Sequence, residues 1–460
     1  MSQSTNLSQA ETDVVVAGCG IGGLTAALSA QELGAQVMVL EKAPEIGGSA
    51  AASGGTVWCA QNLEAWLSVH PGGDLTLGQA LLENFSEGIE WLRHHGLTLA
   101  KLNLPHFKFA CQAYQLIPDA RSAMNHLAAR IIDGGGTIVT DTPLHDLRQD
   151  ARRDVTTVFS HGPNGISGIS AAAVVLATGG FQASPQMRAQ YLGRWSDQII
   201  VRSNPYSTGD GLKAAMGIGA ATAGPFDRFY GHMVPAPPAE TGLHNFVHVK
   251  PDFSEYAIFI NLNGDRFDDE FLGDEVTVHA AIHQPEATVI LIFDEEIRRN
   301  HHSPWSRSSA PPDRIELIRQ AGGEVVKAMA LDILADTIAS RWRVDRNRFL
   351  ATLTAYNSAC SIGDASSLAV PKSGGLDPIT TPPFYGIRML PGATFTYGGV
   401  KINANAEILN TAGNPIRGLY VAGIDAGDIY TRGYTGGLAL GLAYGRIAGK
   451  AAAAFCQSSA

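Results

Sequence analysis

The sequence predicts an α/β fold, a doubly wound parallel sheet with an inserted α+β domain, and three observations carry that reading. First, the apolar strand Val14 to Ala17 runs directly into the turn Gly18-Cys19-Gly20-Ile21-Gly22-Gly23. A helix over Leu24 to Leu33 and a second strand, Val37 to Leu40, follow and end at Glu41. Second, the more hydrophobic strand Ala172 to Ala177 ends in Thr178-Gly179-Gly180, a turn at the carboxyl end of a buried strand, where doubly wound sheets bind ligands. Third, near residue 225 the pattern changes to prolines, histidines and aromatics, and the first pattern resumes only near Thr381. The expected boundaries are 1–224 and 376–460 for the first domain and 225–375 for the insertion.

Each part of the opening segment has its own job. Gly18 makes the tight turn, Gly20 lets the backbone approach a pyrophosphate, and Gly23 lets the helix pack closely on the strand. With Ile21 and Gly22, these residues place free N–H groups and the positive end of a helix dipole beside phosphates. Glu41, at the tip of the second strand, is placed to accept hydrogen bonds from a ribose. A lone G-x-G-x-x-G motif says little, but strand, turn, helix, strand and acid in this order predict a dinucleotide site. The loop Lys42 to Thr56 is rich in small residues, among them Gly48, Ser49, Ser53, Gly54 and Gly55, which would let backbone close on a flat ring system.

Further along, Leu75 to His95 carries helical periodicity, and Ser122 to Ile132 reads as a helix closed by Gly134-Gly135-Gly136 before the strand Thr137 to Thr140. Asp210, in Thr208-Gly209-Asp210-Gly211, precedes a helix over Leu212 to Met216 and reads as a helix cap, a cofactor ligand or both. The insertion holds strands over Tyr256 to Asn261 and Val289 to Phe293, a loose loop over Ser303 to Pro312 and a helix over Val325 to Trp342. Val400 to Leu409, the turn Asn410 to Asn414 and Gly418 to Ala422 form a hairpin-like return. Gly441 to Phe455 reads as a small-residue helix packed on the first domain.

Composition narrows the class. The chain has 460 residues, enough for two or three domains, and is 45% hydrophobic and 17% charged, as expected of a globular protein in water. A net charge of -10 without a long basic run argues against nucleic acid or an anionic membrane surface as partner. The five cysteines are scattered, with no C-x-x-C pattern for zinc, thiol exchange or haem, so no metal is expected and a reducing cytoplasm fits. Met1 to Glu11 are polar and lack a signal core, and no apolar run is long enough to span a membrane.

Taken together, these segments resemble the flavoproteins related to fumarate reductase, succinate dehydrogenase and the 3-ketosteroid dehydrogenases. The matching pieces span almost the whole chain. They are Val15 to Gly23, Glu41 to Gly55, Ala177 to Phe181, Thr208 to Gly211, Asn261 to Glu270, Tyr397 to Ile402 and Gly418 to Gly423. The resemblance implies a Rossmann-like FAD-binding domain of the glutathione-reductase type, with a substrate or capping domain inserted as a lid. It also implies chemistry at a carbon–carbon bond beside an electron-withdrawing group. Its cofactor contacts extend to Lys42, Leu144, Ala177, Thr178, Gly179, Asp210 and Gly423, and to Gly437, Leu438, Ala439 and Leu440 at the flavin edge. Members that tether FAD use a histidine in the loop after the acid; none lies between Glu41 and Trp58 here, so the FAD should be non-covalent. The family's glutamate after Val421-Ala422-Gly423 is Ile424 here, leaving Asp425 or a water for the ribityl contact.

The departures narrow the substrate. Fumarate reductases carry a carboxylate-binding histidine where this chain has Phe395, a clamping arginine where it has Tyr434, and a proton-donor arginine where it has Asp274. Burying two carboxylates without such partners would cost several kcal/mol each. Tyr434 before a glycine pair resembles the ketosteroid dehydrogenase branch, in which such a tyrosine and a nearby backbone N–H bond the substrate ketone and stabilise the developing enolate. The expected reaction is desaturation alpha,beta to a ketone, with hydride passing to flavin N5 and a base removing the alpha proton. A cyclic ketone or 3-ketosteroid-like substrate suits the aromatics Phe395, Tyr397 and Tyr434, and a separate electron acceptor or oxygen would complete the cycle. The branch's tyrosine base has no counterpart after the Arg266-Phe267 motif. His232 carries the most weight as base, with Tyr230, Tyr114, Tyr397 and Tyr430 behind it. The reverse reaction on an enone or unsaturated acid, a tricarballylate-like polycarboxylate dehydrogenation and a non-catalytic flavin protein are the alternatives. Oligomeric state is not legible.

Overall fold

Val14, Val15 and Val16 have no exposed surface, as a strand with helices on both faces of its sheet requires. The structure is a computed structural model that describes residues 10–104, 109–152, 154–162, 165–242, 245–251, 253–301 and 313–459. The expected loop Ser303 to Pro312 lies outside the described residues.

The chain divides into two compact units: residues 1–187, 204–229 and 395–460 form the first, and 188–203 with 230–394 form the second. The second therefore begins near 230 rather than 225, runs on to 394, and takes in the short 188–203 segment.

In the first unit, Pro415–Val421, Gly165–Leu176, Glu11–Ala17, Val37–Leu40 and Thr137–Val139 lie side by side as parallel strands. Glu407–Leu409 adds an antiparallel edge, which is the expected hairpin return. Leu144–Gln149 and Val155–Gly162 extend the Gly165–Leu176 strand as an antiparallel flap. The first helix spans Ile21–Gln31, so it starts three residues before the expected Leu24. Gly22 and Gly23 are its first turn because they must lie against the strand, where side chains would not fit. The C-terminal helix runs over Gly437–Ser459, and its Gly441, Gly445 and Gly449 meet Ile21, Thr25 and Ala26 of the first helix so closely that an added Cβ would overlap them.

In the second unit, Phe384–Thr396 pairs with Val289–Asp294, Val325–Ala328, Phe229–Pro235 and Ile200–Val201, and Ile258–Asn261 forms the outer edge. The expected helix over Val325 to Trp342 is corrected here. Val325–Ala328 is a strand, and the helix begins at Leu331. The β-branched pair Val325-Val326 favours the ladder with Gly386 and Ile387 over a helical turn. Tyr256 likewise belongs to a short 3-10 turn, with the strand starting at Ile258.

Candidate functional site

The carboxyl ends of the parallel strands in the first unit gather most of the expected cofactor residues. Gly18 has φ +109, and a Cβ there would lie 2.1 Å from the Ala177 carbonyl oxygen, so only glycine makes this turn. Above Gly20 the nearest atom to an added Cβ is the Gly47 oxygen at 4.0 Å, which leaves open space over the helix start. Gly48 approaches Gly20, Gly22 approaches the Ala422-Gly423 peptide, and Ala177 N–H bonds the Ala17 carbonyl at 2.7 Å. The first helix has Gly20 at its N-cap with no side chain capping it. An open space over an uncapped helix start fits a pyrophosphate.

Glu41 is buried, and its carboxylate accepts from Cys19 N–H at 2.8 Å and from Ala43 N–H at 2.7 Å. Burial raises its carboxyl above the ordinary range, although these N–H groups oppose the shift. The acid thus ties the glycine turn to the end of the second strand, with acceptor sites left over on both oxygens. Thr142 N–H bonds the Glu41 carbonyl, which brings buried Leu144 near the same strand end. Ser49 Oγ accepts from Asn204 N–H, and Ser53 Oγ donates to Ala50 and accepts from Gly55 N–H, so both serines shape the loop around Gly54. That loop carries one helical turn, Gly48–Ala51.

Asp210 is not a helix cap. Gly209 is the N-cap of the Asp210–Gly217 helix and has φ +76, while Asp210 accepts from Lys42 Nζ at 2.8 Å and from the Thr208 hydroxyl at 2.8 Å. Asp425 accepts from the Thr178 hydroxyl and from Gly179 N–H, both at 2.9 Å. Burial pushes its carboxyl up to about 7 despite those donors. These two bonds brace the Thr178-Gly179 turn from below.

Beside the cradle stands a wall of rings. Tyr434 meets Trp58 edge-on at 5.3 Å between centroids, Phe395 at 5.9 Å and Tyr430 at 6.2 Å. Gly436, at φ +106, passes so close to Trp58 that an added Cβ would sit 1.7 Å from its carbonyl oxygen. Tyr397 donates its hydroxyl to the Gly433 carbonyl at 2.6 Å, and Tyr430 donates to the Gly436 carbonyl at 2.9 Å. Both rings are buried and spend their O–H groups on the 433–436 turn. Tyr434 is only half-buried, and its oxygen accepts from Gly437 N–H at 2.8 Å. That bond polarises the phenol and strengthens its O–H as a donor.

Two residues of this corner escaped the sequence reading. Trp58 is an ordinary apolar residue of a strand, and only the fold turns it toward Tyr434. His70 stacks on Tyr430 at 4.9 Å, its Nε2 lies 3.0 Å from the Thr435 hydroxyl, and its Nδ1 accepts from Thr431 N–H at 3.4 Å. Burial, reinforced by Arg432, holds its imidazole down to about 3. No spacing in the chain links residue 70 to residue 435.

The second unit, taken by itself, holds a compact polar cluster. His232 Nδ1 lies 2.8 Å from Asp274 Oδ1, and His232 Nε2 lies 3.0 Å from the Tyr230 hydroxyl. Asp274 also accepts from Met233 N–H at 3.1 Å and pairs with Lys250 Nζ at 3.3 Å. Arg202 is buried over the Phe246 ring, and its charge acts on Tyr230, His232 and Asp274. Burial lowers the His232 imidazole to about 3, with Asp274 pulling the other way. Burial alone would raise Asp274, but His232 and Lys250 outweigh it and hold the carboxyl well below its usual range. The resulting state is a neutral imidazole beside a carboxylate. Tyr114, the remaining candidate, lies in the first unit between Phe85 and Arg93, outside both clusters.

The profile of the FAD binding domain family matches residues 13–438. The chain belongs to that family. Its cofactor is FAD, and the Gly18–Gly23 cradle, Glu41 and the 437–440 helix start fit it. The NADH:fumarate oxidoreductase of Klebsiella pneumoniae (strain 342) is 27% identical over 96% of this chain and 47% of its own length. The 4-oxocyclohexanecarboxylate 2-dehydrogenase of Sinomonas cyclohexanicum is 25% identical, covering 95% of this chain and 92% of that protein. The 3-ketosteroid delta1-dehydrogenase of Sterolibacterium denitrificans has the same fold, with a TM-score of 0.78 at 21% identity, covering 96% of this chain and 99% of that one. The chain spans about half the length of the first two curated relatives it matches. Among the described residues no helix is long and apolar enough to cross a membrane.

Proposed function

We propose that this protein is an FAD-dependent oxidoreductase that forms a carbon–carbon double bond alpha,beta to a ketone, in a cyclic ketone or 3-ketosteroid-like substrate. The observation that carries this reading is the half-exposed Tyr434 phenol, polarised by Gly437 N–H and walled by Trp58 and Phe395. Bound FAD, held non-covalently, supplies the two-electron acceptor. The chain then has to orient the ketone, stabilise its oxygen and move a proton. Tyr434 O–H donates to the carbonyl oxygen as negative charge gathers there, and the Gly437 N–H behind it spreads that charge into the helix start. Apolar walls exclude water and strengthen both bonds. Phe395 supplies wall, and Tyr397 and Tyr430 hold the turn that presents Tyr434. The second unit serves as the substrate domain. Similarity to the 4-oxocyclohexanecarboxylate 2-dehydrogenase, named for a cyclic keto acid, supports the ketone class.

The reverse reaction is the second reading, because several relatives are named reductases of fumarate, acrylate or urocanate. Phe395, Tyr434 and Asp274 stand where fumarate reductases carry a histidine and two arginines, which disfavours fumarate itself. Anaerobic bleaching of the bound flavin separates the readings. Cyclohexanones or 3-ketosteroids should reduce it and succinate should not. Reduction by succinate alone would overturn the proposal, and reoxidation of the reduced enzyme only by enones or unsaturated acids would establish the reverse direction.

A further inference from the structure

One peptide group ties Tyr434 to the buried side of its corner. The Gly436 carbonyl accepts from the Tyr430 O–H at 2.9 Å, and the N–H of the same peptide, carried by Gly437, donates to the Tyr434 oxygen at 2.8 Å. A bond to the carbonyl of an amide draws electrons from its nitrogen and makes its N–H a stronger donor. Behind Tyr430 the bonds can be oriented one by one. The backbone N–H of Thr431 can only donate, so His70 Nδ1, 3.4 Å away, is the bare ring nitrogen. Burial keeps the imidazole neutral, so Nε2 carries the hydrogen and donates to the Thr435 hydroxyl at 3.0 Å. The Thr435 hydroxyl, having accepted that bond, donates its own hydrogen to the Tyr430 phenol oxygen. Burial pushes the Tyr430 phenol well up, so it stays protonated and donates onward. Every donor in the series points the same way, and His70, Thr435 and Tyr430 are all buried.

We propose that His70, Thr435 and Tyr430 are positioning residues that form a one-way hydrogen-bond chain, ending through the Gly436–Gly437 peptide on Tyr434, and that this chain strengthens the Tyr434 O–H as a donor to a substrate carbonyl oxygen. The proposal deepens the ketone reading given above and rests on it only at this last bond. No hydrogen changes owner along the chain. Each stays on its own heavy atom, and electron density shifts from acceptor to donor at every step. Aligned bonds strengthen one another by about 10–30% each, and the dry surroundings favour the effect. Tyr397 stands outside the chain. Its O–H goes to the Gly433 carbonyl, a peptide whose N–H belongs to the backbone of Tyr434 and not to Gly437.

The test reads the Gly437 amide proton by NMR in the FAD-loaded protein without substrate. Glycine labelled with ¹³C at the carbonyl and ¹⁵N at the amide selects Gly-Gly pairs, and the signal is identified by its loss in Gly437→Ala. Tyr430→Phe and Thr435→Val should move this proton upfield. 3-Fluorotyrosine at position 430 keeps the shape and donates more strongly, so it should move the proton downfield. It also keeps the test open if Tyr430→Phe does not fold. Tyr397→Phe, which loosens the same turn from outside the chain, should leave the proton in place. ¹⁵N spectra should show His70 as the Nε2–H tautomer. Turnover of a cyclohexanone should fall about two- to fivefold in Tyr430→Phe, in kcat rather than KM.

No movement of the Gly437 proton, movement in the same direction by both changes at Tyr430, equal movement in Tyr397→Phe, or His70 found as the Nδ1–H tautomer overturns the chain even if ketones bleach the flavin. A Gly437 proton that responds as expected while no ketone bleaches the flavin upholds the chain and sinks the ketone reading.

Discussion

Each unit buries a histidine that stays neutral, His70 in the first and His232 in the second, and the two differ in what they touch. His70 in the first unit is flanked by a hydroxyl, a backbone N–H and the Tyr430 ring. His232 in the second unit stands between a carboxylate and a phenol. A proton added to His70 would make an unpaired cation near Arg432, whereas a proton added to His232 would make an ion pair with Asp274. Burial sets the same resting state in both places, and the partner decides whether that state can change without breaking the structure. His70 braces its turn, whereas a proton on His232 would meet a carboxylate partner.

The largest way to break this comparison is to remove the carboxylate. Asp274→Ala leaves the Lys250 ammonium and the Met233 N–H without their buried partner, and removal of one member of a buried ion pair costs about 3–5 kcal/mol. Denaturant unfolding should show a loss of that size. A loss below about 1 kcal/mol would mean the cluster is far better hydrated than its burial implies.

Tyr434→Phe probes the other unit. Removal of one oxyanion donor lowers turnover by about a hundredfold to a thousandfold. FAD should remain bound and stability should move by about 1 kcal/mol, since the lost bond to Gly437 N–H lies at a half-exposed helix start. Unchanged turnover would remove Tyr434 from the reaction and leave the ring wall as mere packing.

Acid sharpens the contrast between the histidines. A histidine held below its unfolded value binds fewer protons folded than unfolded. Its stabilising contribution is complete above the unfolded value near 6.5 and drains as pH falls towards about 3. One such group changes stability by at most about 1.4 kcal/mol per pH unit. His70→Gln should therefore flatten the acid limb of a melting-temperature profile between those values. A wild-type limb already flat there would show that His70 is protonated in the folded state.

How much of this was legible in the sequence follows from distance along the chain. The cradle from Val14 to Glu41 could be read because each glycine and the acid act on neighbours within one strand-turn-helix unit. Phe395, Tyr434 and Asp274 stand out because they interrupt motifs of known charge. His70 against Thr435, Trp58 against Tyr434 and Lys250 against Asp274 could not, because nothing local in the chain encodes those contacts. The strand at Val325–Ala328 was misread for the same reason. Its partner, Phe384–Thr396, lies some sixty residues away, and a short, mostly apolar segment ahead of a true helix borrows that helix's periodicity. Of the two roles read for Asp210, the cap fails because the left-handed Gly209 fills the cap position itself and frees the carboxylate for Lys42.

Tyr397→Phe is the mildest change and separates neighbours that the sequence placed together. Tyr397 and Tyr434 are both aromatic, both in family motifs, and about 6 Å from Phe395. Yet Tyr397 is buried, and its O–H is spent on the Gly433 carbonyl. Losing that bond leaves a buried acceptor unsatisfied and should cost about 1–2 kcal/mol in an unfolding measurement. Turnover should fall only a few-fold, mainly through a raised KM, because the turn that carries Tyr434 loosens while its donor survives. A collapse of kcat comparable to that in Tyr434→Phe would mean that Tyr397 releases Gly433 and turns to the substrate. The working donor of the corner would then be the buried tyrosine, and the half-exposed one its support.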